Sequence, residues 1–272
     1  MTPPSISRAA LATFLCLTFA LSAVWWWLGI SGRMAEGSYI FLLMWSPGTS
    51  AIVTRLIFQR NLRGQGWRPG ALRWLALGYF LPVAYAIVAY GVVWGAGLGG
   101  VDLSRFTTPI ATFVVLGTAQ SVLAATGEEL GWRGFLVPAL AERFSLAKTA
   151  IISGAIWSAW HYPLIIGANY NAGTATWWAI VCFTVMVIGL SFPLAWMRLR
   201  SGSFWPAALF HASHNLFIQS FLDRVTVDTG STLWLTTEFG AALAVSVGVT
   251  AWLFWRRRDQ VVAPQTGGLA TE

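Results

Sequence analysis

The chain has 272 residues, 56% of them hydrophobic and only 10% charged, with a net charge of +7. A soluble domain carries about 25% charged residues, so a soluble globular fold is excluded. The two cysteines, Cys16 and Cys182, lie in apolar runs, which excludes a disulfide framework or thiol metal site and predicts inert core thiols.

Charge-free stretches predict the elements in chain order. They run over residues 9–32, 37–54, 74–101, 106–127, 149–197, 201–222 and 239–255. A crossing helix needs about 20 apolar residues, so 149–197 holds two helices, divided at the turn cluster Gly167-Ala168-Asn169-Tyr170-Asn171-Ala172-Gly173. The expectation is an all-α, polytopic membrane bundle of about eight transmembrane helices, with 1–272 forming a single integral-membrane domain. The runs 37–54 and 239–255 are short, and their helices are expected to extend past the flanking charges. The first span is longer than a signal-peptide core and more spans follow it, which predicts an anchor. Residues 61–70 are rich in turn formers and predict an interfacial connection; residues 259–272 predict a disordered cytoplasmic tail.

Basic residues orient the bundle. Arg8, Arg55, Arg60, Arg63, Arg68, Arg73, Arg143, Lys148, Arg198, Arg200 and Arg256–Arg258 fall on the side of the N-terminus, against Arg33, Arg105 and Arg224 on the other. The positive-inside rule then places both termini in the cytoplasm, in the inner (plasma) membrane of the cell. Spread over separate segments, this charge is a topological signal and no nucleic-acid partner is expected.

Against that background the segment Glu128-Glu129-Leu130-Gly131-Trp132-Arg133 stands out, because adjacent carboxylates are costly near hydrocarbon. The three histidines, His161, His211 and His214, all lie downstream in apolar segments. If the fourth helix runs on to about Arg143, then Glu128, His161 and His211 sit about 16–23 Å from the cytoplasmic ends of three helices, at 1.5 Å per residue. Gly131, Gly134 and Pro138 are positions where that helix can bend. Glu129 and Arg133 are i, i+4 and suit an ion pair, whereas Glu128 points about 100° away and is free to act as a base. His211 and Asn215 are also i, i+4 and can project into one cavity; His214 is expected to be structural or supporting.

These residue types suit hydrolysis by a water that Glu128 and His161 deprotonate, with His211 and Asn215 donating to the oxyanion. Glu128, His161 and His211 also form an accepted catalytic zinc set, although the compact His-Glu-x-x-His sign is missing. Zinc and a metal-free glutamate mechanism both remain open. Taken singly, each piece has a structural reading: a buried salt bridge, a packed histidine, an interhelical hydrogen bond.

Together, Glu128-Glu129-x-x-x-Arg133, Trp157-x-x-x-His161 and His211-x-x-x-Asn215 resemble the three signatures of the CAAX-processing and bacteriocin-processing (Abi) protease family, the type II CAAX prenyl endopeptidase group. The segment Ser203–Phe210 is also similar to that family, and Trp157 stands where the family usually has Phe. The resemblance covers about residues 106–225 as protease core. It implies an intramembrane endopeptidase acting on a peptide or protein substrate in the lipid bilayer, with Glu128 as water-activating glutamate, His161 its partner, His211 and Asn215 the oxyanion pair, and Glu129 and Arg133 supporting. Members are commonly classed as metalloproteases, and a metal-free glutamate mechanism is also proposed for them. The compact chain without a targeting extension looks bacterial, and bacterial members are linked to bacteriocin maturation, self-immunity or surface-protein processing. Two other classes compete: a non-catalytic scaffold or immunity protein on the same fold, and a proton-coupled transporter, which the lack of an inverted repeat disfavours.

Overall fold

The computed structural model describes residues 5–261. Eight main helices follow one another among them: α1 Arg8–Ile30, α2 Glu36–Phe58, α3 Leu72–Gly95, α4 Ile110–Ala141, α5 Leu146–Gly167, α6 Thr176–Ser201, α7 (residues 205–225) and α8 Ala241–Trp255. The protein is an all-α bundle. Five helices, α1, α2, α3, α4 and α6, are long and apolar enough to cross a membrane. Side chains such as Ile87, Val92, Val115, Val181 and Val245 are exposed on the bundle's outside, where a bilayer would solvate them. The only strands among the described residues are two-residue segments, Gly100–Val101 and Thr226–Val227, paired antiparallel.

Neighbouring helices pack in the order α1, α2, α4, α7, α3, α8, α6, α5, and α5 returns to α1. The expected anchor α1 is therefore part of the bundle. Its Phe14 packs on Phe135 of α4 at 4.7 Å between ring centroids, and its Ser22 accepts from Trp160 Nε1 of α5 at 2.7 Å.

Several expectations need correction. Cys182 is buried, but Cys16 is exposed on α1, so it is no core thiol. The last helix does not lengthen past its charge-free run. It begins at Ala241 and has 15 residues, because residues before it fold into turns that carry Glu238 into the bundle. Residues 61–70 are more than an interfacial connection: Gln65 is fully buried and its Nε2 donates to the Leu130 carbonyl at 3.0 Å. Of the tail expected to be disordered, 262–272 lies outside the described residues, while Arg258–Gln260 forms a 3-10 turn.

α2 and α4 meet backbone to backbone. A Cβ on Gly127 would lie 2.7 Å from Trp45 Cα, one on Gly131 2.4 Å from Pro47 Cβ, and one on Gly48 2.5 Å from the Gly127 carbonyl oxygen. Gly127 and Gly131 are i, i+4 on one face, the small-residue spacing that lets membrane helices approach closely. That face is fixed against α2, so Glu128 and Glu129 must point elsewhere. Gly131→Ala is expected to destabilise the bundle by about 1–3 kcal/mol through overpacking, read as a lower melting midpoint in detergent.

Candidate active site

α4 is continuous but not uniform. It widens into π-helical turns at Phe113–Gly117 and Trp132–Leu136, and α7 does so at Asn215–Leu222. Such bulges shift the register of the following side chains and recur at functional sites. The possible bend near Gly131, Gly134 and Pro138 is thus realised as a widened turn.

The two adjacent carboxylates have separate surroundings. Glu129 is fully buried. Its Oε1 accepts from Arg133 Nη1 at 2.9 Å, the pair expected from the i, i+4 spacing, and also from His211 Nδ1 at 3.0 Å. Arg133 in turn lies 4.2 Å from the Trp157 ring centroid and donates weakly to Ser191 Oγ at 3.5 Å. Glu128 is 2% exposed. Its Oε2 accepts from two indoles, Trp157 Nε1 at 2.6 Å and Trp132 Nε1 at 3.2 Å.

Glu128, His161, His211 and Asn215 line one cavity of about 210 Å³. α4, α5 and α7 thus deliver the sequence-predicted groups to a common space, and Glu129 and Arg133 sit behind it in the core. The ring nitrogens have assigned tasks. His161 Nδ1 lies 2.9 Å from the Trp157 carbonyl, and only a protonated Nδ1 can donate there, which leaves Nε2 for the cavity. His211 Nδ1 likewise donates to Glu129 and keeps Nε2 free. These free nitrogens and one Glu128 oxygen are of zinc-binding type. Among the described residues, however, no three His, Cys, Asp or Glu side chains are gathered as a group able to hold a metal ion. The arrangement does not fit a preassembled zinc centre.

The sequence reading missed three features. Trp157 holds Glu128 and carries Arg133 on its ring, and nothing in the sequence separates such a tryptophan from an interfacial one. Glu238 also lines the cavity. Its Oε1 accepts from His214 Nε2 at 3.0 Å, its Oε2 accepts from the Tyr170 hydroxyl, and His214 Nδ1 is 2.5 Å from the Tyr85 hydroxyl. The partners of His214 thus lie on other elements. Gln219, one turn beyond Asn215, completes that wall.

Two comparisons bear on this geometry. Residues 109–217 match the model of the Rce1-like, type II CAAX prenyl endopeptidases. That segment is similar to this family. The chain is also 28% identical over 231 residues to CAAX prenyl protease 2 of Methanococcus maripaludis, covering 78% of this chain and 84% of the relative. Five helices long and apolar enough to cross a membrane surround this segment, which fits a multi-pass membrane protein similar to these peptidases. The matched segment contains Glu128, Glu129, Arg133, His161, His211 and Asn215; Gln219 and Glu238 lie beyond it.

Trp132→Phe keeps the aromatic ring and removes the 3.2 Å donor to Glu128. A hydrogen bond to a charged group contributes about 1.5–3 kcal/mol, so kcat is expected to fall about tenfold or more while KM stays nearly constant. Arg133→Ala leaves Glu129 buried without its guanidinium and is expected to cost about 3–5 kcal/mol of stability, measured as loss of folded, monodisperse protein.

Proposed function

We propose that this protein is an intramembrane endopeptidase that cleaves a peptide bond with a water activated by Glu128. The observation that carries the reading is the shared cavity of Glu128, His161, His211 and Asn215, drawn from three helices. A water between the free oxygen of Glu128 and Nε2 of His161 loses a proton as its oxygen attacks the substrate carbonyl. The oxyanion that forms accepts from the Asn215 amide and from His211 Nε2. Donation by that nitrogen requires the doubly protonated ring, whose Nδ1–H is held by Glu129. Glu128 then returns the proton to the departing amine as the carbon–nitrogen bond breaks. Each oxyanion donor is worth about 10²–10³ in kcat by analogy with other acyl-transfer sites.

The substrate is a peptide or protein segment that reaches the site within the bilayer. Glu36, Glu128 and Glu238 line the cavity, and among the described residues no Lys or Arg does. That setting favours neutral or basic residues beside the scissile bond over a free C-terminal carboxylate. The protein sits in the inner (plasma) membrane with all eight helices crossing it and both termini cytoplasmic, as the arginine distribution supports.

Glu128→Ala tests the reading. Peptides from membranes and medium of cells carrying wild type or variant are compared; at least one cleavage is expected to vanish, with a rate loss of about 10²–10⁴. Identical fragments in both would remove the enzyme reading and favour a scaffold on the same fold. Activity of the purified wild type is expected to survive chelation. Loss on chelation with recovery on adding zinc would instead make Glu128, His161 and His211 ligands.

A further inference from the structure

The cavity has a blocked end and an open end, and the two ends differ in charge. Towards the arginine-rich side the bundle is plugged by the segment between α2 and α3. Gln65 inserts against Gly134 and bonds the Leu130 carbonyl. Arg198 donates to the carbonyls of Arg133 at 2.8 Å and Gly64 at 2.7 Å, and Arg55 holds the Arg63 carbonyl at 2.9 Å. Further over, the Phe204 amide donates to the Gly66 carbonyl and Trp205 Nε1 to that of Trp67. The plug is therefore tied to α2, α4, α6 and α7 at once.

On the other side the lining residues run out to helix ends. Glu36 is the first residue of α2, Asn169 follows the end of α5, and both are exposed, as is Gln219 on the outer half of α7. Each of these ends is the one that lacks the arginine clusters. α2 starts at Glu36 and finishes beside Arg55, while α5 starts beside Lys148 and finishes at Gly167. The positive-inside rule assigns the arginine clusters to the cytoplasm, so the mouth faces away from it.

We propose that the cavity is loaded from the extracytoplasmic face, and that its substrate is a peptide segment presented on that side of the membrane. This rests on the proteolytic reading for the identity of the occupant, but the sidedness is measurable without any cleavage. In a background carrying Cys16→Ser and Cys182→Ser, single Glu36→Cys, Gln219→Cys and Arg63→Cys variants are treated with a charged, membrane-impermeant maleimide. In intact cells Glu36→Cys and Gln219→Cys are expected to label, and Arg63→Cys only after permeabilisation. Labelling of Gln219→Cys only after permeabilisation would overturn the proposal, as would labelling of Arg63→Cys in intact cells. Glu36→Cys lies at an exposed helix start and reports the side even if the Gln219 variant folds poorly. A failed Glu128→Ala cleavage test would leave these labelling results unchanged, so the two ideas fail separately.

Discussion

A carboxylate cannot be left alone inside a helical bundle, and Glu129 is the point where this constraint acts on the whole molecule. One oxygen of Glu129 accepts from Arg133 on its own helix and from His211 on α7. Arg133 lies over the Trp157 ring of α5 and reaches Ser191 of α6. A single buried charge therefore fixes four helices relative to one another. Removing one member of such a buried pair costs several kcal/mol, a large part of the net stability of an ordinary domain. The geometry around the cavity is thus set by electrostatic need as much as by packing.

Glu128 answers the same constraint differently. Its donors are two indoles, which hydrogen-bond the carboxylate without neutralising it. Adjacent residues in the same helix can be treated so differently because 100° of rotation separates them and because Gly127 and Gly131 press that helix onto α2 with no room to turn. The ion-paired carboxylate organises and the indole-held one faces the cavity. An exchange of their roles would require α4 to rotate against Pro47, which the glycine contact forbids.

Much of this was legible from spacing alone. Charge-free runs located the helices because hydrocarbon tolerates few charges, and the i, i+4 rule gave Glu129–Arg133 correctly. The same rule suggested His211 with Asn215 in one cavity, and the Nε2 left by the Glu129 contact is consistent with it. What could not be read were contacts between residues distant in the chain. Trp157 and Trp132 look like any other of the 17 tryptophans until their indoles meet Glu128. Gln65 sits in a glycine-rich stretch that reads as a surface turn, and only the carbonyls of the widened α4 explain its burial. Periodicity also hides which face meets lipid, so the exposure of Cys16 leaves no sign in the sequence.

Glu238 shows how far that limit reaches. It lies in a turn segment with no periodicity, beyond the segment that matches the peptidase family. Yet it holds the Tyr170 hydroxyl, and the Tyr170 ring stacks near His161 at 6.4 Å between centroids. Its other oxygen holds His214, one turn from His211 on the same helix. The His161 ring is packed on its remaining sides by Trp160 and Phe183, at 4.8 and 4.9 Å between centroids. Apolar rings alone would let an imidazole slide within its plane, whereas a hydrogen-bonded tyrosine restrains the stack. A carboxylate far along the chain thereby limits the motion of both histidine-bearing walls.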